Sequence, residues 1–226
     1  MEGRGLGVGS ARIALPPPLR RGKMILMKTT LRGAVLWCGL ILAGSALAAD
    51  PKEGKWESLF NGKDLTGWVA VHDVTFEVHE GNLRLVKGMG WLRTQKEYKD
   101  FILEVEWRAL EEKYDSGLFF RVGLEGKPWP KDGWQLNLRY DALGGLVRGY
   151  RPVVPSETPK IPVQQWAKFR LEVRGKKVTL DVNGERAWES DAIDRDRGYI
   201  GIQAEDKQFD FRNFRILELA GQGTGN

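Results

Sequence analysis

The chain has 226 residues, with 35 basic and 30 acidic side chains, two histidines and one cysteine. Residues 1–49 carry seven of the basic and one of the acidic groups, so the remainder holds 28 against 29 and is close to neutral. That balance removes the main support for a basic nucleic-acid-binding surface, and because Cys38 lies in the leading segment there are no disulfides, thiol catalysis or cysteine metal sites beyond it.

In chain order, the first distinct stretch begins at Met27. Lys28 and Arg32 precede the apolar run Gly33 to Leu42, and Ala43-Gly44-Ser45-Ala46-Leu47-Ala48 follows. A charged start, a short apolar core and an Ala-x-Ala exit form the layout of a secretory signal peptide. The run is shorter than the roughly 20 residues needed to cross a bilayer, so the expectation is a cleaved signal after Ala48 or Ala49 with no stable membrane span. The expected division is a leader over 1–49, one domain over 50–220 and a disordered tail over 221–226, in a secreted or periplasmic protein.

From Trp56 to Leu219 the apolar residues alternate with period two, which places successive side chains on opposite faces of a pleated sheet. Phe101, Leu103, Val105 and Trp107 share one face, and Glu104, Glu106 and Arg108 the other. Phe169, Leu171 and Val173 alternate with charged residues, as do Val178, Leu180 and Val182. Asn183-Gly184 then supplies the positive φ angles of a two-residue hairpin turn. Other turns are expected at Asn61-Gly62, Glu80-Gly81-Asn82, Lys131-Asp132-Gly133 and Gly144-Gly145. No stretch carries an apolar stripe of helical period; a turn or two of helix is expected only near Lys96 to Asp100 or Asp191 to Arg197. The fold class is all-β, an antiparallel β-sandwich.

Several motifs recur in the order of one family. Trp56-Glu57-Ser58-Leu59-Phe60-Asn61-Gly62-Lys63-Asp64-Leu65-Thr66-Gly67-Trp68 opens the domain; Gly90-Trp91-Leu92-Arg93-Thr94, Tyr98-Lys99-Asp100-Phe101 and Asp115-Ser116-Gly117-Leu118-Phe119-Phe120-Arg121 follow. Gly198-Tyr199-Ile200-Gly201-Ile202-Gln203 and Phe211-Arg212-Asn213-Phe214 close it. This set resembles the 3-keto-disaccharide hydrolase domains of bacteria over nearly the whole of 50–220. The resemblance implies a concanavalin A-like jelly roll and a sugar-related activity. The family often carries Glu-x-Gln on the strand after the Ser-Gly motif, where this chain has Gln135-Leu136-Asn137.

On the expected strand Trp134 to Asp141, Gln135, Asn137, Arg139 and Asp141 form one polar row opposite Trp134, Leu136, Leu138 and Tyr140. A concave sheet would add Glu104, Glu106, Arg108, Arg121 and Gln203 from neighbouring strands, making a groove of amides, carboxylates and guanidiniums. Such a groove suits sugar hydroxyls, and Trp91, Trp129 or Trp134 could stack on a C–H face of the ring. The same alternation also describes a plainly solvated sheet whose tryptophans fill the core.

Two chemistries remain open. Glu104 and Glu106 stand roughly 6.5–7 Å apart along one strand, a spacing that would serve a glycosidase acid and base. A ketone at carbon 3 instead acidifies the proton on carbon 2, so one base could remove it and expel the glycosidic oxygen. Glu106, Asp141 and Glu205 are the candidate bases; Arg108, Arg121 or a divalent ion held by oxygen ligands are the candidate polarising groups, with Gln135, Asn137, Arg139, Gln203 and Trp91 binding the substrate. His72 and His79 read as surface residues, and no phosphate loop, dinucleotide fingerprint or nucleophile elbow is present. The expected partner is a carbohydrate; the competing functions are a non-catalytic carbohydrate-binding module and an adhesive surface domain.

Overall fold

A computed structural model describes residues 53–220 except Glu157. The expected leader over 1–49 and tail over 221–226 lie outside the described residues. Within them there are thirteen strands and no helix, and hence none long and apolar enough to cross a membrane. The fold is an antiparallel jelly-roll β-sandwich.

The strands are β1 (Glu53–Ser58), β2 (Trp68–His79), β3 (Asn82–Thr94), β4 (Phe101–Ala109), β5 (Gly117–Val122), β6 (Trp134–Asn137) and β7 (Leu146–Arg148). They continue as β8 (Arg151–Val154), β9 (Ala167–Arg174), β10 (Lys177–Val182), β11 (Glu185–Ser190), β12 (Tyr199–Glu205) and β13 (Phe209–Leu219). Neighbours run β11-β10-β9-β4-β13-β3-β12-β5-β6-β7-β8, with β1 against β13 and β2 against β3.

One strand makes this continuous path into two layers. The first half of β3 pairs with β13 through Leu83 and Leu85, and the second half pairs with β12 through Met89 to Arg93. Between them Gly88 adopts φ 114°, and a side chain there would strike the backbone of Asp73 and Val74 on β2, so the crossing needs glycine.

Alternation fills the space between the layers. Val105, Trp107, Phe169, Phe209 and Phe211 from one layer meet Leu92, Leu118, Phe120, Leu136 and Ile202 from the other in a single buried cluster. Trp107 packs edge-on to Phe169 at 5.4 Å, an arrangement aromatic rings favour. Each such ring, wholly removed from water, contributes roughly 2–3 kcal/mol. The Asn183-Gly184 turn has φ 52° and 89°, the doubly positive pair that matches strand twist, and joins β10 to β11 as expected.

Two local expectations are corrected. Neither Lys96 to Asp100 nor Asp191 to Arg197 is helical, because Tyr98 and Gly198 exchange backbone hydrogen bonds of 2.8 and 3.1 Å and pin the two segments together. The strand expected over Trp134 to Asp141 ends at Asn137; there the chain turns, with the Gly144 amide donating to the Asn137 carbonyl and the Ala142 amide to Arg139.

Candidate functional site

The two layers present very different outer faces. On the first, β4 turns Glu104, Glu106 and Arg108 outward, and each is matched. Arg215 and Lys168 contact Glu104 at 2.6 and 2.9 Å. Arg212 and Asn213 each donate to Glu106 at 2.8 Å. Asp210, wholly buried, accepts from Arg84 and Arg108 at 2.7 Å each. Burial opposes ionisation of all three acids, but the cations and donors outweigh it and hold their pKa values below the ordinary range.

The second layer's outer face is built from alternate residues of β3, β12, β5 and β6. Register sets Trp91 beside Gln203 and Met89 beside Glu205, Gly201 beside Phe119, and Phe119 beside Gln135. Leu138 and Tyr140 donate their amides to Ser116 and Tyr114, which carries the pairing back beyond the start of β5 and brings Asp115 and Arg139 alongside Glu205. Gly117 has no side chain in this row, and the Gln135 amide occupies the space above it; a Cβ there would collide with Gln135. Gln135 donates to Gln203 at 2.5 Å, and Gln203 donates to Glu205 at 2.9 Å.

The segment between β5 and β6 folds over this face as a strap. Trp129 packs on Trp91, Phe119 and Val122, and its indole N–H donates to the Ala204 carbonyl at 2.9 Å. His72 lies 3.2 Å from the Gly126 carbonyl on one side, and the Tyr150 hydroxyl donates to the Pro130 carbonyl at 2.8 Å on the other. The strap closes the Trp91 end of the face and leaves the Asp115 and Glu205 end open.

At that open end the carboxylates lack adequate neutralisation. Burial pushes Glu205 up to about 7, with the charge of Asp115 adding to it. Burial also pushes Asp115 up to about 6, with the charge of Asp141 adding and Arg139 and Lys207 opposing. Arg139 spends its strongest contact on the exposed Asp141, to which it donates through Nε. Both carboxyls are thus raised from the ordinary carboxylate range toward neutrality. Among the described residues no group of three or more histidine, cysteine, aspartate or glutamate side chains is placed to hold a metal ion.

Gln135, Asn137, Arg139, Gln203 and Glu205 are therefore brought together, with Asp141 at the rim. Four expectations are corrected. Glu106 and Arg108 belong to the first layer, because β4 pairs with β13 and β9 and never borders β6. Arg121 faces away from this surface: a β-bulge after Phe119 gives it φ 47° and inserts one residue into the alternation. Its buried guanidinium binds Asp100 and the carbonyls of Lys99, Gly175 and Arg195, tying loops together. Trp91 lies on this outer face but is 1 % exposed beneath the strap, so no ligand reaches it. Trp134 faces the core, with its N–H on Asp194.

Sequence reasoning missed two residues. Asp115 shared its face with Gly117 and Phe119 by simple alternation, and its place in the Asp-Ser-Gly motif was the available signal. Tyr150 sits in the short turn between β7 and β8, where no periodicity operates.

These features define a jelly-roll domain with one partly strapped polar face, and sequence comparison makes the assignment specific. The chain belongs to the family of 3-keto-alpha-glucoside-1,2-lyase-like domains, whose model matches residues 55–217. A presumed glycosyl hydrolase of Parabacteroides distasonis is similar at 22% identity and TM-score 0.62, over 74% of this chain and 94% of that one. The carbohydrate-binding module CBM66 of Bacillus subtilis is similar at 18% identity and TM-score 0.55, over 66% and 94%. A Bacillus subtilis protein of unknown function with a galectin-like fold is similar at 14% identity and TM-score 0.60, over 77% and 99%. Comparison with curated proteins finds no match.

Proposed function

We propose that this is an exported enzyme that cleaves 3-keto-glycosides by elimination, with Asp115 and Glu205 as the proton-transfer pair. The observation that carries this is the single row holding two half-buried carboxyls, raised to about 6 and about 7, beside the Arg139 guanidinium. Around neutral pH one carboxyl is ionised while the other retains its proton, and such a pair supplies both a base and an acid.

The ketone at carbon 3 makes the hydrogen on carbon 2 acidic. The ionised carboxyl takes that proton, its electron pair forms the bond between carbons 1 and 2, and the bond from carbon 1 to the glycosidic oxygen breaks. The protonated carboxyl gives its proton to the departing oxygen, so an alcohol leaves and an unsaturated keto sugar remains. A proton shift within the pair restores the starting state, and water added across the double bond yields the free 3-keto sugar. Asn137 and Arg139 stand where they can donate to the ketone and hydroxyl oxygens, and Gln203 orients Glu205 from below. Export rests on the signal-peptide layout of the leader.

The test is to incubate the purified protein with a 3-keto-glucoside and with the parent glucoside, following release of the alcohol. Release from the keto substrate alone is expected. A second reading, a binding module, is favoured by Gln135 standing where relatives often carry glutamate; sugar binding without turnover would select it. Neither binding nor release would overturn both.

A further inference from the structure

Few large apolar side chains of the described residues stand open to solvent, and two of them, Met89 and Tyr150, flank the same carboxylate. Met89 is 38% and Tyr150 51% exposed. Met89 is the cross-strand partner of Glu205, and side chains directly opposite in an antiparallel pair share a face. Tyr150 reaches the same end of the face through Trp129, whose indole N–H is held by the carbonyl of Ala204, the residue before Glu205. Trp129 lies against Tyr150, ring centres 6.2 Å apart and tilted by 49°.

The polar hydrogens of both rings are already committed. The Tyr150 hydroxyl is held by the Pro130 carbonyl and the Trp129 N–H by the Ala204 carbonyl, both within the protein. What these rings offer a ligand is their faces and edges, with a thioether across the carboxylate row. A second sugar placed here would meet ring faces and a thioether with no free donor among them, so its hydroxyls would gain little from these three side chains. A flat aromatic group asks for no hydrogen bond and gains from offset contact with anchored rings and sulfur.

We infer that Tyr150, Trp129 and Met89 form an aglycone subsite that selects glycosides of aromatic alcohols over disaccharides. This deepens the proposed function and rests on the sugar ring lying against Asp115 and Glu205, with the departing oxygen directed toward Tyr150. The polar side of the row, at Asn137 and Arg139, then receives the sugar, and the apolar side receives the leaving group. Tyr150 and Met89 are specificity residues here; neither moves a proton.

The experiment compares kcat/KM for a phenyl 3-keto-glucoside and a 3-keto-disaccharide, in the wild-type chain and in Tyr150→Ala, Met89→Ala and Tyr150→Phe. The wild type is expected to favour the phenyl substrate by about tenfold, the scale of one good aromatic contact. Tyr150→Ala should bring the ratio close to one, Met89→Ala should lower it by a few-fold, and Tyr150→Phe, which keeps the ring, should preserve most of it. Equal rates in the wild type, or a preference unchanged in Tyr150→Ala, would overturn the inference while leaving the elimination chemistry standing. Should neither substrate be cleaved, the chemistry fails and the subsite is read by calorimetry with phenyl glucoside and sucrose. Tighter phenyl glucoside binding that is lost in Tyr150→Ala would uphold the subsite, and equal or absent binding would overturn it.

Discussion

The outer faces of the two layers use the same residue types to opposite ends. On the first layer Glu104, Glu106 and Asp210 each meet two or more donors and are held as anions. On the second, Asp115 and Glu205 share the attention of one arginine that is itself paired with Asp141, and both are pushed toward neutrality. Carboxylates saturated with cations stabilise a sheet; carboxylates short of them are available for proton transfer. The difference lies in partner count and burial, since every one of these acids sits on or beside a strand.

The comparison breaks most visibly in activity. Glu205→Gln and Asp115→Asn should each lower kcat by about 10²–10⁴-fold, the usual contribution of an acid or base, measured on a 3-keto-glucoside with folding checked by circular dichroism. On the other face, Asp210→Ala leaves Arg84 and Arg108 without their shared buried anion. It should cost about 3 kcal/mol, read from urea unfolding.

Opposite signs of pH dependence would sharpen the contrast. Glu205 binds its proton more tightly folded than unfolded, since its pKa rises from 4.5 to about 7. The stability it contributes is therefore fully present below pH 4.5 and lost as pH climbs to about 7, by at most ~3 kcal/mol. Glu205→Gln should flatten that loss and unfold less readily than the wild type at pH 8. Glu104, Glu106 and Asp210 behave conversely: their pKa values are depressed on folding, so their contribution is present above the ordinary carboxylate range and lost as pH falls below it. The smallest effect is expected from Glu106→Gln, with turnover within about twofold and stability within ~1 kcal/mol, as for a solvent-screened ion pair at the surface.

Much of this was legible in one dimension. Alternation correctly separated Trp107 from Glu106 and Leu136 from Gln135, and Asn183-Gly184 marked its hairpin, because pleat and turn depend on adjacent residues. Gln135, Asn137 and Arg139 were found together for the same reason. Arg121 was misplaced because a bulge shifts alternation by one residue and leaves no mark in the residue types. Glu106 was misplaced because alternation assigns a side chain to a face without saying which sheet owns that face.

The sequence by itself determined the strand content, the turns, the apolar sides of the strands and the family, all properties carried by neighbouring residues or by ordered motifs. Only the tertiary structure decided that β3 crosses between layers, that the 123–133 strap hides Trp91, and that Asp115, just ahead of β5, stands beside Glu205, ninety positions later in the chain. Those outcomes depend on pairing between distant strands, whose register is selected by closure of the whole core.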